Sequence, residues 1–214
     1  MERSIGVGAL GFHAYLQKNG IAFEGVMAKS ANNRMFKHIR TKLDEANLQL
    51  GSERGSPSDC AGTGKRFAHV MAVAPNASSS ILMGNTSPSI EPYRANAYRQ
   101  DTLSGSSLNK NRWLDKIIRE KVKDDADYQD VWSSIIANDG SVQHLDILDE
   151  HQKEVFKTSM EIDQRWVIEH AADRQEFIDQ AQSLNLFFRP DVNIKYLHAC
   201  HFLAWKKGLK TLYY

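Results

Sequence analysis

The spacing of hydrophobic positions predicts a chain of helices separated by short apolar segments. In the clearest helix, apolar side chains recur every three or four residues, which is the period of one helix face: Phe36, Ile39, Leu43, Ala46 and Leu50. Ser30 is the expected N-cap of this helix, and Gly51 or Gly55 is its expected end. The pattern predicts one long amphipathic helix within residues 30–55.

Five further stretches have the spacing of helices. Four of them read "NRWLDKIIREKV", "YQDVWSSIIAND", "DEHQKEVFKTSM" and "IDQRWVIEHAADRQEFIDQAQ". Asp191 is expected to cap the last helix, whose predicted buried face is Ile194, Leu197, His201, Ala204 and Gly208.

Three short apolar segments have the length and flanks of buried strands. They are "FAHVMAVA", which ends before Pro75 and precedes a long polar connection, then "SLNLFF" and the terminal "KTLYY". Helices that alternate with such strands predict an α/β protein with a mainly parallel sheet.

Composition narrows the class of protein further. The chain has 214 residues, of which 42% are hydrophobic and 25% charged, with a net charge of +1. That is enough for one sizeable core, and it gives no electrostatic basis for binding nucleic acid or an anionic membrane. No apolar run approaches the ~18 residues of a membrane span, and no secretory signal is recognisable. With two cysteines, Cys60 and Cys200, we expect a reduced, cytoplasmic protein.

The glycines in "GVGALG" (residues 6–11) formally match a dinucleotide-binding turn. That turn needs a supported strand before it and an acidic residue after a second strand. Only five residues precede Gly6, and no acidic residue follows at the expected distance. We therefore expect these glycines to permit close packing at the start of a helix.

Small and hydroxyl-bearing residues follow the first predicted strand: Pro75, Asn76, Ala77, Ser78 and Ser79. Such side chains let a phosphate approach the backbone, and a helix that begins there offers unpaired N–H groups. Ligands of α/β folds also collect at the carboxyl ends of strands. A plain helix cap made by the serines is an equal alternative at this point.

Two other groups of residues have side chains that could bind a metal or transfer an electron. His198, Cys200 and His201 are possible metal ligands, but no second cluster completes a four-ligand site, so we expect no metal and one inward and one outward histidine. Tyr213 and Tyr214 end the chain and point to opposite faces of a strand. Adjacent tyrosines are usually packing residues, although two in series could also pass an electron and a proton.

Together these stretches resemble the large, catalytic subunit of class I ribonucleotide reductase, most of all the phage and eukaryote-like branches. The similar motifs are "RSIGVGALGF", "APNASSS" with "SIEP" at residues 89–92, "FIDQAQSLNLF" and "GLKTLYY". They span essentially the whole chain in the family's order.

The resemblance implies a thiyl-radical enzyme that reduces ribonucleoside diphosphates to deoxyribonucleoside diphosphates for DNA replication. Residues 75–79 would hold the substrate diphosphate, and Tyr213 and Tyr214 would transfer the radical between subunits. It implies no cofactor in this chain: a metal-containing small subunit supplies the radical, ATP and dNTP effectors bind outside this segment, and a thioredoxin- or glutaredoxin-type protein supplies electrons. Neither cysteine matches a catalytic cysteine of the family.

The resemblance also implies that residues 1–214 are one partial domain, the C-terminal half of a ten-stranded α/β barrel. The upstream half and a cysteine-bearing tail would be absent, as in a split-gene product or a truncated reading frame. Half a barrel exposes strand edges and apolar surface, so we expect the chain alone to be poorly soluble or molten. A stand-alone phosphate-binding domain and a non-catalytic interaction protein are the alternatives.

Overall fold

The structure is a computed structural model, and it describes residues 1–102 and 105–213. Its regular elements are mostly helices. The α-helices are α1 (Phe12–Lys18), α2 (Val26–Arg54), α3 (Ala77–Leu82), α4 (Arg112–Lys121), α5 (Asp125–Ala137), α6 (Glu150–Val155), α7 (Gln164–Gln175) and α8 (Ile194–Lys206). A short 3-10 helix covers Ser58–Cys60, and two strands, β1 (Ala97–Thr102) and β2 (Gly105–Lys110), form a hairpin.

Helix α2 confirms the clearest sequence prediction, with a shifted start. It begins at Val26, so Ser30 lies inside the helix instead of capping it. It ends before Gly55, whose φ of +72° is a conformation that favours glycine. Gly51 does not end the helix; its missing side chain leaves room for the backbone of Gly64.

None of the three predicted strands forms a regular strand within residues 1–102 and 105–213, and the expected mainly parallel sheet is not formed there; the segments pair only at isolated points. Val7 forms a parallel bridge with Met71, and Val73 forms one with Gln182. The Asp179 carboxylate accepts the N–H groups of Val70 and Met71, at 2.8 and 3.1 Å. These two donors are therefore unavailable to a regular ladder, which explains why the predicted strand in "FAHVMAVA" is interrupted.

The hairpin of β1 and β2 is antiparallel and lies where the sequence predicted only a polar connection. It is the only regular sheet within residues 1–102 and 105–213. Most of β2 is exposed, so the strand has no apolar face to produce an alternating pattern. That absence explains why the periodicity did not reveal it.

The chain divides into two compact units. The terminal unit comprises Met1–Ala9, Lys29–Pro75 and Gln164–Tyr214, and the central unit comprises Leu10–Ala28 and Asn76–Asp163. The central unit has an apolar core that includes Leu114, Ile118, Trp132, Ile135 and Phe156. In the terminal unit, α7 packs on α8 through a smaller cluster around Ile168, Cys200 and Ala204.

Helix α8 differs from its prediction in its cap and in its buried face. Asn193, rather than Asp191, caps it, since its side chain accepts the Lys195 N–H at 2.9 Å. Cys200 and Ala204 are buried, whereas Ile194 and His201 are exposed. The Tyr196 hydroxyl accepts the Gln164 N–H at 2.8 Å, and Tyr196 packs on the same cluster as Cys200 and Ala204. None of the helices in the described part of the chain is long and apolar enough to cross a membrane.

Candidate functional site

The predicted phosphate loop begins a helix, as expected. Asn76 is the N-cap of α3, with φ 54° and ψ 30°, a left-handed conformation that asparagine tolerates better than most residues. No side chain caps this helix. Ala77 is already helical, so Ser78 and Ser79 lie in the first turn and not before it.

The first turn of α3 leaves hydrogen-bond donors at the surface. Ala77, Ser78 and Ser79 are exposed, and the N–H groups of an initial helical turn have no intrahelical acceptor. Among the described residues of the central unit, none accepts a bond from these N–H groups or from the two hydroxyls. Ser80 differs, because it is buried and its hydroxyl donates to the Ala77 carbonyl at 2.6 Å. Ser78 and Ser79 therefore do not cap α3, which was the alternative to a phosphate-binding loop.

The segment that follows α3 is held by buried polar groups. Ile90 and Glu91 of the "SIEP" motif are buried, and the Tyr93 N–H donates to Nδ1 of His13 at 2.9 Å. Burial lowers the pKa of His13 to about 3 and raises the pKa of Tyr93 to about 12. Both side chains are therefore uncharged near neutrality, and the Tyr93 hydroxyl donates to the Asn85 carbonyl at 3.1 Å, just after α3.

A cavity of about 320 Å³ lies within the central unit. Its lining includes Tyr15, Met83, Thr86, Arg112 and Trp113. Met83 and Thr86 follow α3, but none of the predicted loop residues lines the cavity. The exposed donors of α3 are thus separate from this cavity.

The glycine-rich stretch serves close packing, although not only at a helix start. A Cβ on Gly6 would lie 3.0 Å from the Cβ of Ala72, and one on Gly8 would lie 2.8 Å from the Ala72 carbonyl oxygen. These glycines therefore let two parallel segments approach. Gly11, with φ +84°, is the N-cap of α1 and accounts for the predicted helix start.

The histidine and cysteine cluster of α8 has no shared geometry for a metal. His198 stacks on Phe202, His201 stacks on Phe188, and Cys200 is buried. Both histidines are exposed, so the expectation of one inward histidine is wrong; Cys200 occupies the inward position. Over residues 1–102 and 105–213, no three His, Cys, Asp or Glu side chains are arranged to hold a metal ion.

Tyr213 belongs to the terminal unit and Tyr214 lies outside the described residues. The Tyr213 N–H donates to the Leu184 carbonyl at 2.9 Å, which aligns it with the extended segment after Gln182. Its side chain is 48% exposed. Pro75 ends another part of this unit, whereas Asn76 to Ser79 belong to the central unit.

Sequence analysis missed the side chains that fix these segments. Asp179 binds Arg40 at 2.6 Å as well as two backbone N–H groups, and Lys210 and Gln175 bind backbone near Tyr213. Asp179 and Lys210 lie inside the motifs "FIDQAQSLNLF" and "GLKTLYY", so the motifs pointed to them without indicating what they do.

Comparison with known proteins places these observations in a family. The family model described as "Ribonucleotide reductase, barrel domain" matches residues 1–60 and 57–214. The large subunit of ribonucleoside-diphosphate reductase from Invertebrate iridescent virus 6 is 59% identical over 215 residues, covering 100% of this chain and 22% of the relative. The corresponding subunit of Invertebrate iridescent virus 3 is 54% identical over 213 residues, covering all of this chain and 34% of the relative.

More distant relatives and a solved structure agree. The large chain from Schizosaccharomyces pombe is 31% identical over 246 aligned positions. The class Id ribonucleotide reductase alpha subunit of Actinobacillus ureae superposes with a TM-score of 0.91 at 41% identity, covering 100% of this chain and 38% of that one. The chain thus spans about a fifth to two fifths of the length of these relatives. It belongs to the ribonucleotide reductase barrel-domain family, as a C-terminal barrel portion of a large subunit.

Proposed function

We propose that this chain holds the substrate diphosphate and carries the last radical-transfer tyrosines of a ribonucleoside-diphosphate reductase. The observation that carries the proposal is the exposed first turn of α3, where the donors of residues 77–79 have no acceptor within the described part of the central unit. Residues of this kind suit a diphosphate because its oxygens accept several hydrogen bonds at once.

The proposed role of the loop is positioning. Pro75 shapes the turn, Asn76 supplies the left-handed residue, and Ala77 is small enough for a phosphate to approach the backbone. Ser78 and Ser79 add N–H and hydroxyl donors. Holding the diphosphate fixes the ribose relative to the reacting groups, and such positioning can supply several kcal/mol of rate acceleration.

The chemical step needs groups outside this chain. In the proposed reaction a thiyl radical removes the 3′-hydrogen, water leaves from C2′, and a cysteine pair is oxidised to a disulfide as the deoxyribonucleotide forms. Tyr213 and Tyr214 would pass the radical inward from a metal-containing small subunit. The remaining large subunit, including its effector sites for ATP and dNTPs, and a thioredoxin- or glutaredoxin-type reductant are the further partners of this proposal.

The finer architecture is part of the same proposal. Residues 1–214 would form a single partial domain of a ten-stranded barrel, with "HVMAVA", "SLNLFF" and "KTLYY" among its strands. Two parallel bridges and the Tyr213–Leu184 bond support this arrangement.

The loop is tested by adding a negative charge where the diphosphate would bind. This chain would replace the matching segment of the iridescent virus 3 large subunit, with the small subunit present. Ser79→Asp should raise the KM for a nucleoside diphosphate at least tenfold, because a carboxylate repels phosphate. Ser56→Asp, in an exposed loop of the terminal unit, is the matched control.

The outcomes separate the proposal from its alternatives. An unchanged KM for Ser79→Asp would contradict the loop assignment. Two results together would favour a stand-alone phosphate-binding domain. The 214-residue chain alone would bind diphosphate and lose this binding on Ser79→Asp, and neither Tyr213→Phe nor Tyr214→Phe would change turnover of the assembled enzyme. An interaction protein would be insensitive to all three changes.

A further inference from the structure

The backbone that leads to Tyr213 is held by an unusual concentration of side-chain bonds within the terminal unit. The Lys210 ammonium donates to the carbonyls of Ile178, Asp179 and Gln180, at 3.4, 2.7 and 3.1 Å. An ammonium has three N–H donors, so these carbonyls match its full capacity. One side chain thereby ties the final segment to the turn that follows α7.

Gln175 holds the same segment from the end of α7. Its amide nitrogen donates to the Gly208 carbonyl at 2.5 Å, and its amide oxygen accepts the Lys210 N–H at 2.9 Å. A single side chain thus fixes the backbone on both sides of Leu209. The Thr211 hydroxyl and the Tyr213 N–H continue the contacts, at the carbonyls of Gln182 and Leu184.

These hydrogen bonds fix the position of the backbone at residues whose side chains are largely exposed. Lys210 and Tyr213 are both exposed, whereas Leu212 between them packs on the apolar cluster around Ile168 and Cys200. Exposed segments with few packing contacts are ordinarily mobile. The bonds of Lys210 and Gln175, a side-chain clamp, therefore add to the packing of Leu212 in holding this stretch in place.

We propose that Lys210 and Gln175 are positioning residues for the terminal tyrosines, and that they keep Tyr213 at the separation that radical transfer requires. This inference rests on the proposed function, because it presumes that Tyr213 carries the radical. Small displacements of reacting groups lower rates steeply, so loss of the clamp should slow turnover without weakening substrate binding.

The test uses the grafted large subunit, which is the iridescent virus 3 large subunit with this chain in place of its matching segment, together with its small subunit. Lys210→Met should lower kcat at least tenfold with the KM for the nucleoside diphosphate changed less than twofold, and the loss should coincide with a slower decay of the small-subunit radical in electron paramagnetic resonance. Lys210→Arg retains N–H donors and should recover part of the rate. Lys206→Met is the matched control, because the side chain of this exposed lysine of α8 makes no hydrogen bond to the described residues.

Gln175 provides graded variants in case Lys210→Met fails to fold. Gln175→Glu keeps the acceptor for the Lys210 N–H and loses the donor to Gly208, whereas Gln175→Leu loses both. Gln175→Leu should therefore reduce kcat more than Gln175→Glu.

Two results would overturn the inference: near-normal kcat in Lys210→Met and Gln175→Leu while Tyr213→Phe is inactive, or a raised KM with kcat unchanged. Full turnover by Tyr213→Phe would instead refute the radical-transfer role itself.

Discussion

Each of the two units of this chain is stabilised by a different kind of interaction. In the central unit, large apolar side chains such as Trp132 and Phe156 are fully buried, and the uncharged side chains of Asn96 and Asn111 are buried as well. In the terminal unit, charged side chains fix the extended segments: Arg174 is buried, and Asp179 binds both Arg40 and backbone.

This difference between the units follows from how their backbone N–H and carbonyl groups find hydrogen-bond partners. Helices satisfy most of their own backbone groups, and in the central unit they are joined mainly by an apolar core. The terminal unit contains extended segments with few ladder bonds, and their buried backbone groups need other partners. Asp179 supplies such a partner for the N–H groups of Val70 and Met71, and Lys210 supplies one for the carbonyls of Asp179 and Gln180.

The largest expected effect tests the central unit. Trp132→Ala should lower the local free energy of unfolding by about 4 kcal/mol, because it leaves a large cavity in a closed apolar core. Hydrogen exchange of peptides from α4 and α5 in the grafted large subunit measures the loss. Trp205→Ala, at a 73% exposed position, should change exchange little; equal effects of both variants would contradict the contrast.

A smaller effect is expected from the buried arginine of the terminal unit. Arg174 donates to Gln182 Oε1 at 2.8 Å and to Asn32 Oδ1 at 2.9 Å, so Arg174→Met should cost about 3 kcal/mol by removing the donors of two buried acceptors. Exchange of residues 180–184 provides the measurement. Arg34→Met, at an exposed site of α2, is the control, and protection unchanged in Arg174→Met would show that packing alone holds this segment.

Acid should affect the two units at different pH values. Burial holds the pKa of His13 at about 3, below its usual 6.5, so the unfolded chain gains a proton below pH 6.5 that the folded one does not, and the central unit loses up to about 1.4 kcal/mol per pH unit.

Asp179 should respond only in stronger acid. Burial raises the pKa of Asp179, but bonds from Arg40 and from Val70 and Met71 N–H groups together lower it below 3.8. Its stabilising contribution is therefore present above pH 3.8 and lost below it.

Hydrogen exchange between pH 6.5 and 4.5 should thus show faster opening of α1 than of residues 69–73. The difference should diminish in His13→Asn, but not in His38→Asn, at an exposed site of α2. Equal acceleration of both peptides in the unmodified protein would contradict the assignment.

Sequence periodicity predicted α2 and α4 to α8 because hydrophobic residues recur along each of them, and Gly55 marked the end of α2 correctly. Periodicity failed for the buried face of α8 and for the hairpin of β1 and β2. The face of α8 was misplaced because Cys200 and Ala204 pack against Ile168 of α7, a contact that spacing along the chain does not reveal. The hairpin was missed because exposed strands carry no apolar alternation.

Part of the candidate site was predictable as well. Small and hydroxyl-bearing residues after an apolar segment indicated the opening of α3, which the structure confirms from Ala77. The clamp of Lys210 and Gln175 was beyond sequence reasoning, since the two residues are far apart along the chain and bind backbone groups that any sequence has. Only the fold brings them together.

The loop around the 3-10 helix Ser58–Cys60 has a practical consequence for labelling. The family match is in two stretches that meet at residues 57–60, and the alignment with the fission yeast subunit spans 246 positions against 214 in this chain. Length has therefore varied among relatives, and the exposed glycine at 62 offers a point for inserting a fluorescent or affinity tag. A tag there would report on the terminal unit.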